Sequence, residues 1–236
     1  MSVSFRYKNH MAKKNISQEK IIQSFISCAF EKSAGATSLS DIADALQIKK
    51  ASLYNHFENR EAMYYASIDY CGSEIATVGF LPEKNYETII NNKTTPQSMF
   101  KRLITRFFEI YETEPCFEMY SFVHTEQYFN IKALNIIENE YDVIIKDIKK
   151  MINGFISVNK IAKKTEKEVK EIASVIASII IQQRDVYIAK RKETVRLNPE
   201  CGAGSLFALP TDETELNKTI KIVDSYLKLL TPSHLE

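Results

Sequence analysis

The chain has 236 residues, 44% of them hydrophobic and 26% charged, with a formal net charge of +1; this composition excludes a disordered or fibrous chain and fits one or two globular domains. No run of about 18 apolar residues predicts a membrane span, and the first residues lack the apolar core of a signal peptide, so the expected location is cytoplasmic. Four scattered cysteines, Cys28, Cys71, Cys116 and Cys201, show no Cys-x-x-Cys spacing, which argues against a disulfide framework or a zinc ribbon.

Charge is distributed unevenly. Residues 1–60 hold nine Lys or Arg against five Asp or Glu, and the remainder holds 22 against 25. A basic amino-terminal module on a mildly acidic body predicts that any polyanion contact belongs to the first part.

The apolar periodicity is helical from end to end, so the expected class is all-α. A first helix is predicted from about Gln18 to Lys32, capped by Ser17 and stopped by Gly35, with Ile21, Ile22, Phe25, Ile26, Ala29 and Phe30 on one stripe. A second opens after Ser38, with Asp41 completing a capping box. A third covers about Lys49 to His56, and a fourth begins after Asn59 and extends towards Val78. The stretch from Gly79 to Thr95 predicts irregular or partly helical chain. Thr95-Pro96 then reads as a cap with proline at the first helical position, and Pro115 ends or kinks that helix. After a segment from Cys116 to Phe129, a long helix is expected from Ile131 to Ser157. Thr165 and Glu168 form a second capping box, opening a helix to about Lys192. A loop from about Asn198 to Pro210 leads to a last helix, about Asp212 to Leu230.

Residues 35–61 carry the most information. They read as two short helices joined by a tight turn, then the start of another. The second short helix presents Lys49, Lys50, Ser52, Tyr54, Asn55 and His56 beside an apolar anchor of Leu53 and Phe57. A helix held from behind and polar in front suits a DNA groove.

Residues 17–64 resemble the amino-terminal domain of TetR-family (tetracycline-repressor-like) bacterial regulators. The resemblance is carried by Phe30, Gly35, Thr37-Ser38, Asp41-Ile42-Ala43, Leu46, Ile48, Leu53-Tyr54-x-His56-Phe57, and Glu61 after Arg60. Two departures stand out. The family usually has glycine in the turn where this chain has Gln47, which predicts mild strain. It often has Ser or Thr opening the recognition helix where this chain has Lys49, which predicts a weaker cap.

The resemblance implies a helix-turn-helix domain over residues 1–63, followed by a helical effector-binding and dimerisation domain over 64–236. It implies phosphate contact from Thr37 and Ser38, for which helix capping is an equal alternative. Lys49, Lys50 and Arg60 are candidate phosphate clamps, with solvated surface charge as the alternative. Ser52, Tyr54 and Asn55 are candidates for base edges or backbone, and His56 for phosphate or a neighbouring helix. Lys13 and Lys14 are candidates for a flexible arm reaching the DNA backbone, with a disordered basic leader as the alternative. An effector pocket would draw on Phe107, Tyr111, Phe117, Tyr120, His124 and Tyr128, with core packing as the alternative. A dimer interface would draw on Ile172, Val175, Ile176, Ile179, Val223, Tyr226, Leu227 and Leu230.

The expected partners are double-stranded operator DNA, a small-molecule effector of unknown identity and a second copy of the chain, with no membrane, cofactor or metal. The chain reads as a repressor rather than an enzyme. The alternatives are a helical small-molecule-binding enzyme or a protein-binding adaptor.

Overall fold

The computed structural model describes residues 16–198 and 209–230. Lys13, Lys14 and Cys201 lie outside the described residues. Regular structure among the described residues is entirely helical. A small head holds α1 (Gln18–Lys32), α2 (Leu39–Ala45) and α3 (Lys50–Leu53). A larger body holds α5 (Glu83–Ile90), α6 (Pro96–Tyr111), α7 (Cys116–Glu126), α8 (Ile131–Ser157), α9 (Glu166–Leu197) and α10 (Glu213–Lys228). Between them, α4 (Arg60–Ile75) runs continuously from head to body.

The helix starts follow the polar caps in the sequence. Ser17 accepts from the Lys20 amide, and Thr95 from the Ser98 amide ahead of Pro96. Both expected capping boxes, Ser38 with Asp41 and Thr165 with Glu168, are complete. These bonds satisfy amides that an α-helix leaves unpaired at its start.

Three boundaries differ from expectation. Ser33, at φ 80°, ends α1 instead of Gly35. α3 closes after one turn at Leu53, and residues 54–56 continue as turn because the Asn55 and His56 amides bond only three residues back. α9 runs on to Leu197, past its expected end near Lys192. The Gly79–Thr95 stretch is partly helical, as expected, through the two-turn α5 entered at Pro82.

Within the head, α1 packs on α2, and α2 on α3. Its core is Ile21, Phe25, Ile26, Ala29, Ile42, Ala43 and Leu53, all buried. In the body, α8 lies against α4, α5, α7 and α9, while α10 lies against α6 and α9. By length and apolar composition α9 could cross a membrane. Its inward stripe of Ile172, Ile176 and Ile180 is instead buried within the protein, and the fully buried Arg184 continues that face.

Head and body share an aromatic seam. Phe30 of α1 meets Phe117 of α7 edge-on at 5.1 Å, and Phe25 meets Phe122 at 6.2 Å. Two polar contacts flank the rings: Ser27 Oγ donates to Glu118 at 2.5 Å, and Tyr64 Oη donates to Glu126 at 2.7 Å. The head is therefore gripped by α7 as well as carried by α4.

Candidate nucleic-acid interface and effector cavity

The turn between α2 and α3 is closed by backbone bonds from Gln47 to Asp44 and from Ile48 to Ala43. Gln47 takes φ 56°, the left-handed conformation that glycine adopts freely. Lys49 caps α3 with no side-chain bond. Both departures noted in the sequence thus have the expected local consequence.

Leu53 is completely buried and Phe57 packs against the same core, which fixes the azimuth of α3. The opposite face carries Lys49, Lys50, Tyr54 and Asn55, all exposed, with Ser52 and His56 half-buried beside them. Tyr54 keeps 51% of its surface open. Neither lysine takes a carboxylate or other polar partner among the described residues, so both ammonium groups are free to meet phosphate. Gln18 Nε2 donates to the His56 carbonyl at 2.8 Å, tying the end of this segment back to α1. That brace has no signature in the sequence.

Ser38 is exposed, but its hydroxyl caps α2 by accepting from the Asp41 amide at 3.2 Å. Asp41 is in turn held by Lys32 at 2.6 Å, and these bonds hold its carboxyl well below the usual carboxylate range. Two expected DNA contacts require correction. Thr37 is buried, and its hydroxyl donates to the Ser33 carbonyl at 2.8 Å. Arg60 turns inward: Nε donates to the Thr37 carbonyl at 2.7 Å, Nη2 donates to the Ala34 carbonyl, and the guanidinium lies 5.5 Å from the Phe25 ring centre. It braces the α1–α2 turn.

The aromatic residues assigned to an effector pocket are mostly spent on packing. Phe107, Tyr111 and Tyr120 surround the Arg184 guanidinium, with ring centres 4.9, 4.5 and 4.2 Å from it. Cation–π attraction and edge-on ring contacts fill the space that a ligand would need. Arg184 donates to both oxygens of Glu140, at 2.6 and 3.0 Å, and Tyr111 Oη also donates to that carboxylate. His124 lies at the edge of this network, 3.3 Å from Asp185. Phe117 belongs to the head–body seam, and Tyr128 is 79% exposed in the turn after α7.

A cavity of about 270 Å³ lies instead between the end of α4 and α8. It is lined by Gly72, Ile75, Ala76, Val78, Ile136 and Val143, with Asn139 and Glu140 as its polar groups. A Cβ on Gly72 would stand 2.9 Å from Ile136 Cδ1, so glycine here lets α4 and α8 approach closely. That glycine, inside an otherwise helical pattern, was the available sequence signal.

The expected dimer residues also divide. Ile172, Ile176, Val223, Leu227 and Leu230 are buried inside the subunit and cannot form an outer face. Val175 is exposed, and Ile179 and Tyr226 are half-buried. The outward stripe of α9 runs Val175, Ser178, Gln182, Val186 at helical spacing, without charge. Ile222 and Leu229 are the exposed apolar residues of α10 and the turn that ends it.

Residues 22–66 match the family profile described as bacterial regulatory proteins, tetR family. This segment is similar to the amino-terminal domain of TetR-family regulators. Over 54 residues it is 43% identical to IcaR of Staphylococcus epidermidis, the HTH-type negative transcriptional regulator of the biofilm operon icaADBC. IcaR of Staphylococcus aureus strain Newman matches to the same extent. The aligned segment covers 23% of this chain, and the chain spans only 29% of the relative's length in that alignment. The whole fold is similar to a TetR transcription regulator from Haloarcula marismortui, with TM-score 0.56 and 13% identity over 91% of this chain and 98% of that one. It is also similar to the ketosteroid transcriptional regulator KstR2 of Mycobacterium tuberculosis, with TM-score 0.54 and 16% identity over 93% and 97%. At these identities the likeness shows that the body shares the TetR architecture.

Proposed function

We propose that the chain is a homodimeric, sequence-specific DNA-binding regulator of transcription that acts as a repressor. The observation that carries this reading is the free, cationic and polar face of α3, held outward by buried Leu53 in a TetR head. Lys49 and Lys50 contact phosphate, Tyr54 and Asn55 meet the groove, and Ser52, His56 and the exposed start of α2 at Ser38 flank them. The likeness of the head to a negative regulator supports the sign.

In the dimer, Val175, Ile179 and Val186 of α9 with Ile222, Tyr226 and Leu229 meet their copies across a two-fold axis. The two recognition segments then stand about 34–36 Å apart, one turn of duplex. A small molecule in the cavity between α4 and α8 is the proposed effector, because α4 carries the head. It acts by binding better where the head spacing is wrong for DNA.

The test is a gel shift with DNA flanking the chain's own gene. Wild-type protein should retard a specific fragment, and Lys50→Ala and Tyr54→Ala should weaken that shift while leaving the fold intact. Variants that bind as tightly as wild type would refute the assigned face.

A further inference from the structure

A second cleft, of about 140 Å³, opens where the last turn of α1 meets α7 and the end of α9. Its walls include Ala29, Phe30 and Ala34 from the head and Phe122 from α7. Lys192 and Arg196, one helical turn apart, face it from α9. Arg196 is held by Glu193, with two bonds of 2.7 Å. Lys192 differs. Its ammonium sits 4.7 Å from the Phe30 ring centre and makes no hydrogen bond or close salt bridge among the described residues. Burial disfavours its charge and lowers its pKa, with Glu31 nearby pulling the other way.

We propose that this cleft binds a small monocarboxylate with a compact apolar body, the carboxylate pairing with Lys192 and the body lying against Phe30 and Phe122. The volume sets the size, since a cavity of about 150 Å³ accommodates benzene. Charge sets the class. An ammonium already partly stripped of water and lacking an ion pair gains a charge-assisted bond when an anion arrives.

The end of a helix ordinarily repels anions. Here two carbonyls just beyond the end of α1 are turned to other donors: Thr37 Oγ1 donates to Ser33, and Arg60 donates to Ala34. Glu126, in the cleft wall, accepts from Tyr64 and is likewise engaged. Glu31, exposed at the rim, disfavours dianions such as phosphate esters. The cleft shares no lining residue with the α4–α8 cavity, and its occupant would touch head and body at once.

The test uses the full chain with benzoate as probe and benzyl alcohol as its uncharged counterpart, read by calorimetric titration and thermal unfolding. Benzoate should bind saturably and raise Tm in proportion to the logarithm of its excess over Kd. Benzyl alcohol should bind at least tenfold more weakly. Lys192→Met should cost benzoate at least tenfold. Thr125→Leu, an exposed change in the lining that leaves the charge in place, should weaken it as well. Benzoate binding that does not saturate, or that survives both substitutions unchanged, would overturn the proposal. Loss in Lys192→Met with full binding in Thr125→Leu would also overturn it, by placing the anion outside the cleft.

Discussion

Arg184 and Glu140 form a two-pronged ion pair, Nη1 to Oε1 at 2.6 Å and Nη2 to Oε2 at 3.0 Å, between α9 and α8. Arg184 is fully buried. Burial opposes its charge, yet Glu140, the two tyrosines and Asp185 outweigh that and keep it protonated. Removing one member strands the other. Arg184→Met should therefore cost about 3–5 kcal/mol, and adding Glu140→Leu should return most of the loss. Urea unfolding of the two variants checks this; a single-variant loss below about 1 kcal/mol would contradict it.

Glu114 gives a pH dependence of known sign. Burial, with Glu118 nearby, raises its pKa to about 7. The folded state then holds a proton that the unfolded state releases near its ordinary value, so stability from this group falls as pH rises from about 4.5 to about 7. Glu114→Gln should flatten the Tm profile across that window and exceed wild type in Tm at about pH 8. Identical profiles would count against a raised pKa for this half-buried carboxyl.

Gln47 holds a left-handed backbone at φ 56°. Gln47→Gly relieves that strain while raising unfolded-state entropy, so a net gain of about 0.5–1 kcal/mol is expected. Chemical denaturation measures it. DNA affinity should not change, since the exposed groups of α3 stay where they are.

The proposed two-fold interface uses the outward stripe of α9. Val175→Glu with Val186→Glu should yield a folded monomer by sedimentation, because both side chains are exposed in the single subunit. Ile176→Ala should instead lower stability by about 2–5 kcal/mol, as a core truncation. A Val175→Glu/Val186→Glu protein that remains dimeric would relocate the interface.

The fold was largely legible in sequence because its helices announce themselves twice. Ser17, Ser38, Thr95 and Thr165 mark the starts, and apolar stripes mark the inner faces. The outward polar face of α3 was legible too, since Leu53 and Phe57 fix which side is out. What sequence could not resolve was commitment of polar groups over distance. Arg60 and Thr37 look available until the carbonyls of Thr37, Ala34 and Ser33 come within reach. Aromatic density around residue 110 looked like a pocket, whereas Arg184, more than 70 residues later, fills the space between those rings. Periodicity gave α9 and α10 apolar stripes but could not say which neighbour each stripe meets. Ile176 and Leu227 therefore look as available for a dimer as Val175 does.

The most direct measurement is the salt dependence of operator affinity for wild type and Lys50→Ala. Each phosphate contact contributes about 0.9 to the slope of log affinity against log salt. With one Lys50 per recognition segment and two segments in the proposed dimer, the slope should fall by about 2 in the variant, with the fold intact by circular dichroism. An unchanged slope would show that α3 does not face the duplex.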